Sequence, residues 1–218
     1  MPGEAPFLRS SIGRKVLMAV TGMIMLGFLA GHVAGNLLAF AGREPLDAYA
    51  KFLRESPTLL WGTRGALLFS VLVHIGAWVR LLETSRAARP VGYDAKVRRG
   101  TTLGARTMAV TGPVILFFVI YHILHFTLGT VHPDFRPHEV YDNVVTGFRQ
   151  KPVALFYVVA MLALGLHLSH GIWSVFQTVG ANHPRYDKAL RAGGVAIAAA
   201  ITAGFASVPV AVLAGVIR

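Results

Sequence analysis

The chain has 218 residues, of which 54% are hydrophobic and only 14% are charged, and its formal net charge is +11. Soluble domains carry about 25% charged residues, so the composition argues against both a soluble enzyme and a disordered chain. The sequence has no cysteine, which excludes disulfides, iron–sulfur clusters, thiolate zinc sites and covalently attached c-type haem. The basic residues lie between long apolar runs, which indicates membrane topology and contact with anionic membrane lipid, not nucleic acid.

Long charge-free intervals indicate transmembrane helices, which need about 20 apolar residues. Four intervals are clear, and a fifth carries Arg64 and Arg80 near its ends, where long side chains reach the headgroups. The first run contains Ala-Phe-Ala at 39–41, similar to a signal-peptidase site, but it is too long for a signal peptide. We therefore predict an all-α membrane protein, a five-transmembrane-helix bundle. The five spans are expected near residues 14–41, 59–83, 105–130, 152–180 and 192–217.

Lys and Arg predict the orientation, because cytoplasmic loops carry an excess of them. With the N-terminus in the cytoplasm, the basic loop 84–105 lies inside and the C-terminus lies outside. Loops 42–58 and 131–151 then face outward, and we expect short surface helices in them. We identify no internal repeat and no low-complexity linker, so residues 1–218 are interpreted as a single integral membrane domain. The basic residues assigned to the inside are Arg9, Arg14, Lys15, Arg80, Arg86, Arg89, Lys96, Arg98, Arg99, Arg106, Arg185, Lys188 and Arg191.

Histidine is frequent, with nine residues in the chain. Polar side chains at membrane depth are costly and mark function by default. At 1.5 Å per residue, His32 and His122 lie about 26–27 Å above the inner ends of their helices, and His74 and His167 lie roughly 14–20 Å above theirs. Two pairs at matched depth follow, and two imidazoles facing each other across a bundle suit axial ligation of a flat macrocycle. The histidines inside the spans are His32, His74, His122, His125, His167 and His170.

Spacing leaves several readings open. His122 and His125 are three residues apart, as are His167 and His170, so spacing does not say which member of each pair is the ligand. The other member could bind a haem propionate, a quinone carbonyl or water. Two b-type haems compete here with a histidine-lined transporter of protons or a divalent metal, and with a structural bundle. The remaining histidines, interpreted as solvated, are His132, His138 and His183.

Small residues near these histidines allow close helix approach and leave room for a porphyrin. They are Gly27, Gly31, Gly35, Gly76, Gly165 and Gly171.

Stretches in four spans resemble one family. The first span has Ser-Ile-Gly-Arg-Lys at 11–15 and Gly-His-Val-Ala-Gly-Asn at 31–36, the second has Leu-Val-His-Ile-Gly at 72–76, the third has Tyr-His-Ile-Leu-His-Phe at 121–126, and the fourth has Leu-His-Leu-Ser-His-Gly-Ile-Trp-Ser at 166–174 with Phe-Gln-Thr at 176–178. They resemble the cytochrome b558 family, the single-chain dihaem membrane anchors of succinate:quinone oxidoreductases and quinol:fumarate reductases. The fourth stretch is the most specific and the second the least. The resemblance extends over nearly the whole chain.

The resemblance implies four axial ligands, with His32 and His122 on an outer haem and His74 and His167 on an inner one. It implies two non-covalent haem b groups and menaquinone as the reacting quinone. It also implies an iron–sulfur subunit and a flavoprotein subunit docked on the cytoplasmic side of a bacterial inner membrane. Such an anchor does not act on succinate itself; it carries electrons for respiratory complex II of the tricarboxylic acid cycle, or for fumarate reduction. A higher oligomer of the complex stays open.

Charge and position select further candidates. For the haem propionates we expect Arg or His partners. A quinone site is expected near the outer ends of the first two spans, at Asn36, Asp47 and Tyr49. Some relatives carry a glutamate at the position of Gly165, so no proton path through that residue is expected here. The anchor of a hydrogenase or formate dehydrogenase is the second redox alternative. The propionate candidates are Arg14, Arg64, Arg106, His125 and His170.

Overall fold

The computed structural model describes residue 7 and residues 10–88 and 102–218, and in this part of the chain all regular structure is helical, without a β-strand. Five helices there are long and apolar enough to cross a membrane, which confirms the predicted all-α five-span bundle. The five spans are Ser11–Ala41, Pro57–Ala87, Leu103–Thr127, Lys151–Thr178 and Asp187–Leu213. The helices are α1 (Ser11–Leu37), α2 (Arg43–Arg54), α3 (Pro57–Ala87), α4 (Leu103–His122), α5 (Val140–Arg149), α6 (Lys151–Thr178) and α7 (Asp187–Leu213).

Capping residues set where the helices begin, so the observed ends differ from the edges of the apolar runs. The side chains of Ser10 and Thr102 accept hydrogen bonds from the backbone N–H groups of the first turns of α1 and α4. Helix α7 begins at Asp187, earlier than the residue 192 predicted for the fifth span. Asp187 pairs with Arg191 at 2.8 Å, a charged turn that an apolar-run criterion leaves out.

Helix α4 does not end at His122 but continues as one π-helical turn, Ile123–Thr127, that carries His125. A π-turn changes the direction in which side chains point and is common at functional sites.

The transmembrane helices form two antiparallel pairs that α7 covers. Helix α1 packs on α3 and helix α4 packs on α6, while α7 packs along α6 and also contacts α1. The buried residues of α6 recur every three or four positions, so one stripe of this helix lines the core. Large apolar side chains such as Phe69 and Phe117 lie on the outside of the bundle, as expected for a surface that faces lipid.

The two short helices α2 and α5 lie in the loops that were expected to contain surface helices. Arg43 of α2 forms an ion pair with Asp142 of α5. Asp47 of α2 accepts a hydrogen bond from the backbone N–H of Tyr141, 2.9 Å away, and the Tyr141 hydroxyl donates to the carbonyl of Arg218. These contacts tie both helices and the C-terminus into one cap over this end of the bundle.

The orientation of the bundle and its description as one domain stay predictions. Several of the basic residues assigned to the inner side lie outside the described residues, namely Arg9, Arg89, Lys96, Arg98 and Arg99.

Candidate functional site, two facing pairs of imidazoles

The structure brings together the four histidines that were paired by depth. The ring centroids of His32 on α1 and His122 on α4 are 5.9 Å apart. Those of His74 on α3 and His167 on α6 are 6.4 Å apart. We call these the outer pair and the inner pair. Each pair draws one ligand candidate from each of the two helix pairs, so both lie between the two halves of the bundle.

Two threonine hydroxyls hold the inner pair. The Thr21 hydroxyl oxygen lies 3.1 Å from Nδ1 of His74, and the Thr111 hydroxyl oxygen lies 3.4 Å from Nδ1 of His167. Thr21 donates its own proton to the Leu17 carbonyl. The first contact joins α1 to α3 and the second joins α4 to α6. In both, the hydroxyl meets Nδ1 of the imidazole and not Nε2.

The outer pair has different polar neighbours. Nδ1 of His122 lies 3.4 Å from the hydroxyl of Tyr157 on α6. The Asn36 amide lies 3.4 Å from Nδ1 of His32 and donates to the His32 carbonyl on its own helix. Phe28 stacks on His32 and Phe118 stacks on His122, so the outer imidazoles lie among aromatic rings.

His125 is fully buried beside the outer pair. Its Nδ1 lies 3.0 Å from the Tyr157 hydroxyl, and its Nε2 has no hydrogen-bond partner among the described residues. His132 stacks on it with a centroid distance of 4.9 Å. The interpretation of His132 as solvated was wrong. It is 9% exposed, its Nε2 donates to the Asn143 carbonyl, and its Nδ1 accepts from the backbone N–H of Asp134.

His170 lies towards the end of α6 that meets the start of α7. Its Nδ1 is buried without a hydrogen-bond partner in the described part of the chain. One turn away, the Arg191 guanidinium lies 3.6 Å from the centroid of the Trp173 ring. The Trp173 indole N–H donates to Asp187. Sequence reasoning missed this Trp–Arg–Asp cluster, which is formed by residues from two helices.

The three candidate arginines occupy three different settings. Arg14 on α1 donates to the Thr84 hydroxyl at 2.9 Å and so links α1 to α3. Arg64 lies on the exposed surface of α3, 4.9 Å from the Trp61 ring centroid. Arg106 lies in the first turn of α4. The described contacts do not gather the three arginines into one cluster.

The three quinone candidates separate into two groups. Asn36 lies against His32, and the Tyr49 ring packs so closely on Gly35 that an added Cβ there would lie 2.5 Å from it. Asp47 instead holds the first turn of α5 through its bond to Tyr141.

The glycines nearest to the inner imidazoles are not those selected from the sequence. A Cβ built on Gly22 would lie 3.6 Å from Cε1 of His74, and one on Gly112 would lie 3.9 Å from Cε1 of His167. Gly165, by contrast, packs directly on Thr202 of α7. The pentapeptide Met-Ala-Val-Thr-Gly occurs at 18–22 and again at 108–112, a short recurrence that sequence reasoning did not use. This recurrence is the sequence feature that could have indicated Thr21 and Thr111 as site residues.

The donor set is two imidazoles per site. No group of three or more His, Asp or Glu residues that could hold a metal ion occurs within the described ranges. A metal–imidazole nitrogen bond is about 2.0–2.1 Å long, and two such bonds in line place the ring centroids about 6 Å apart. The separations of 5.9 Å and 6.4 Å fit two axial ligands of one metal whose other positions are supplied by a macrocycle.

Residues 85–205 match the family described as the succinate dehydrogenase/fumarate reductase transmembrane subunit. This match covers more than half of the chain. The chain belongs to this family. It is similar to the succinate dehydrogenase cytochrome b558 subunit of Bacillus subtilis (strain 168), with 25% identity over 169 residues, which cover 75% of this chain and 78% of that protein. No solved structure matches the chain significantly.

The family match confirms the predicted membrane subunit of succinate dehydrogenase or fumarate reductase. The residues that match the family include His122, His167, Thr111 and Tyr157. His32, His74 and Thr21 lie outside them.

Proposed function

We propose that this transmembrane subunit is a dihaem cytochrome b anchor of a succinate:quinone oxidoreductase or quinol:fumarate reductase. It carries electrons between an iron–sulfur subunit and a membrane quinone, with menaquinone as the expected quinone. The observation that carries the proposal is the presence of two imidazole pairs on four helices, each with the centroid separation of two axial ligands. The similarity to a cytochrome b558 subunit supports it.

The side chains around each pair would hold and orient the ligands. Two haem b groups, bound without covalent attachment, would supply reversible one-electron transfer. The hydroxyls of Thr21, Thr111 and Tyr157 hold Nδ1 of three of the imidazoles and leave Nε2 as the metal-binding nitrogen. Phe28 and Phe118 keep water away from the outer pair.

Basic and imidazole side chains at the helix ends would pair with propionates. His170 is the strongest inner candidate, because its Nδ1 is buried and lacks a hydrogen-bond partner in the described chain. Arg14 and Arg106 begin the two helices that carry the outer pair, so both belong to the inner end. His125 and Arg64 are the candidates on the outer side.

Asn36 and Tyr49 are the quinone-site candidates that the contacts favour, because Asn36 lies against His32 and the Tyr49 ring of α2 packs on the neighbouring Gly35 of α1. Asp47 is better explained as a support for α5. The inner pair would then face the iron–sulfur subunit and the flavoprotein in the cytoplasm. This arrangement requires the N-terminus inside, the C-terminus outside and a bacterial cytoplasmic membrane.

A spectrum of the purified complex tests the proposal. We expect two haem b per chain by pyridine haemochrome, and a sharp α band typical of bis-histidine ligation in the dithionite-reduced minus oxidised difference spectrum. One haem per chain would mean that one of the two pairs is not a ligand pair. No haem in protein from haem-replete cells would overturn the proposal and favour a histidine-lined transporter.

A further inference from the structure

The repeated pentapeptide has a constant relation to the outer histidines. Thr21 precedes His32 by eleven residues, and Thr111 precedes His122 by eleven residues. Eleven residues are close to three full turns of an α-helix, so each threonine shares a helix face with its histidine, about 16 Å further along the axis. Helices α1 and α4 thus each present a hydroxyl at one depth and an imidazole at another.

Both copies of the pentapeptide make the same contact. In each copy the threonine hydroxyl meets Nδ1 of an inner-pair histidine on the neighbouring helix, at 3.1 Å for His74 and 3.4 Å for His167. In each copy the following glycine lies against Cε1 of the same imidazole. A Cβ at Gly22 or Gly112 would lie at ordinary van der Waals distance from the ring that the threonine contacts, 3.6 Å from Cε1 of His74 and 3.9 Å from Cε1 of His167. The same short sequence therefore makes the same threonine and glycine contacts with both imidazoles of the inner pair.

The threonine hydroxyls have a defined polarity. Thr21 donates its proton to the Leu17 carbonyl at 2.7 Å, and Thr111 donates to the Thr107 carbonyl at 3.1 Å. A hydroxyl has one proton, so with that proton on the helix carbonyl each oxygen is left to accept from its imidazole, and on this ground we assign the hydrogen to Nδ1. The lone pair then lies on Nε2.

We propose that Thr21 and Thr111 are a matched pair of positioning residues for the inner haem. Their hydroxyls hold His74 and His167 in the Nδ1–H tautomer and make both imidazoles stronger donors to the iron. An acceptor on Nδ1–H raises the basicity of an axial imidazole, and a more basic ligand favours the ferric form, so both threonines lower the reduction potential of the inner haem. This inference rests on the proposed function.

The two threonines contact the imidazoles of the inner pair. The described neighbours of the outer pair are different, so the expected change in reduction potential is confined to the inner haem. The His122 imidazole shares one hydroxyl, that of Tyr157, with His125. The Asn36 side chain beside His32 donates to a carbonyl of its own helix. Removing a threonine hydroxyl should therefore change the reduction potential of the inner haem and leave that of the outer haem unchanged.

The test is a redox titration of both haems in the intact complex, with Thr21→Val and Thr111→Val. Valine keeps the shape of threonine without the acceptor. Each variant should shift the inner haem to a higher midpoint potential, and the double variant should shift it further, while the outer haem stays unchanged. The inner haem is identified as the one that His74→Ala removes. Electron paramagnetic resonance of the oxidised inner haem should change in the same variants.

Two further variants control this test. Thr202→Val removes a buried hydroxyl of α7 that has no hydrogen-bond partner in the described chain, and it should leave both potentials unchanged. Thr21→Ser and Thr111→Ser keep the acceptor and should keep the wild-type potential.

Unchanged inner potentials in both valine variants, with two haems retained, would overturn the inference and leave the dihaem proposal standing. If valine variants lose the inner haem, the serine variants decide. Normal potentials in the serine variants support the acceptor role, and loss of the haem in them overturns it. A wild-type complex without two haems would instead overturn the proposed function.

Discussion

Tyr157 of α6 and the fully buried His125 share a hydrogen bond, 3.0 Å between the phenol oxygen and Nδ1. The same oxygen lies 3.4 Å from Nδ1 of His122. A phenol has one proton, so it can donate to at most one of these imidazoles. If His122 binds a metal through Nε2, its Nδ1 carries the hydrogen and donates to Tyr157, which leaves the phenol proton available for Nδ1 of His125. The proposed ligand is thereby connected to a second, fully buried histidine.

Removal of this phenol should affect the outer haem selectively. Tyr157→Phe takes away the acceptor that orients His122, and loss of such a partner typically costs about 10–100-fold in metal affinity. We expect faster loss of the outer haem to excess apomyoglobin, with the inner haem retained. Tyr121→Phe is the matched control, because the Tyr121 ring stacks on His125 with a centroid distance of 5.4 Å. Equal loss of both haems, or the same loss from the control, would contradict the prediction.

Single histidine substitutions should divide into two groups. His32→Ala and His122→Ala should each remove the outer haem, and His74→Ala and His167→Ala should each remove the inner one, because one axial ligand does not hold a haem as two do. Haem content should fall from two to about one per chain by pyridine haemochrome.

Redox titration of these variants identifies the haem that remains. His183→Ala changes an exposed histidine before α7 and should retain both haems. If His32→Ala and His74→Ala removed the same haem, the pairing would be wrong.

Gly165 is expected to be a packing residue of the α6–α7 contact. A Cβ at this position would overlap the Thr202 side chain, and overpacking typically costs about 1–3 kcal/mol. Gly165→Ala should therefore lower the thermal midpoint of the detergent-solubilised protein. Thr202→Ala in the same chain should restore it. Gly193→Ala is the control, because a Cβ there meets no atom within 4 Å. A Gly165→Ala variant as stable as wild type would rule out this packing role.

Asp47 should support the cap of the bundle without acting on quinone. Its carboxylate accepts from the backbone N–H of Tyr141 in the first turn of α5, and loss of a comparable helix cap costs about 0.5–2 kcal/mol. Asp47→Ala should lower the thermal midpoint and leave the KM for a soluble quinone analogue unchanged. Tyr49→Phe alters a ring that packs on Gly35, beside Asn36 in the chain, and should raise that KM. A raised KM in the Asp47 variant would return this residue to the quinone site.

The sequence by itself determined the number of spans and the depth of the histidines. Both follow from one-dimensional quantities, the apolar length that crosses a bilayer and the rise per residue of a helix. That is why His32 could be paired with His122, and His74 with His167, before any contact was known. The stretch around His167 and His170 also identified the family, which the comparison confirmed.

Only the tertiary structure decided which side chains meet the imidazoles. That choice depends on how each helix is rotated about its axis and on which helices are neighbours. Sequence position alone therefore gave no reason to place Thr21 beside a histidine. It suggested that Gly165 lies beside a haem ligand, whereas in the structure Gly165 packs on Thr202. It also left His132 in a solvated loop. The fold buries His132 because its ring stacks on His125, and the Asn143 carbonyl and the Asp134 N–H satisfy its two nitrogens.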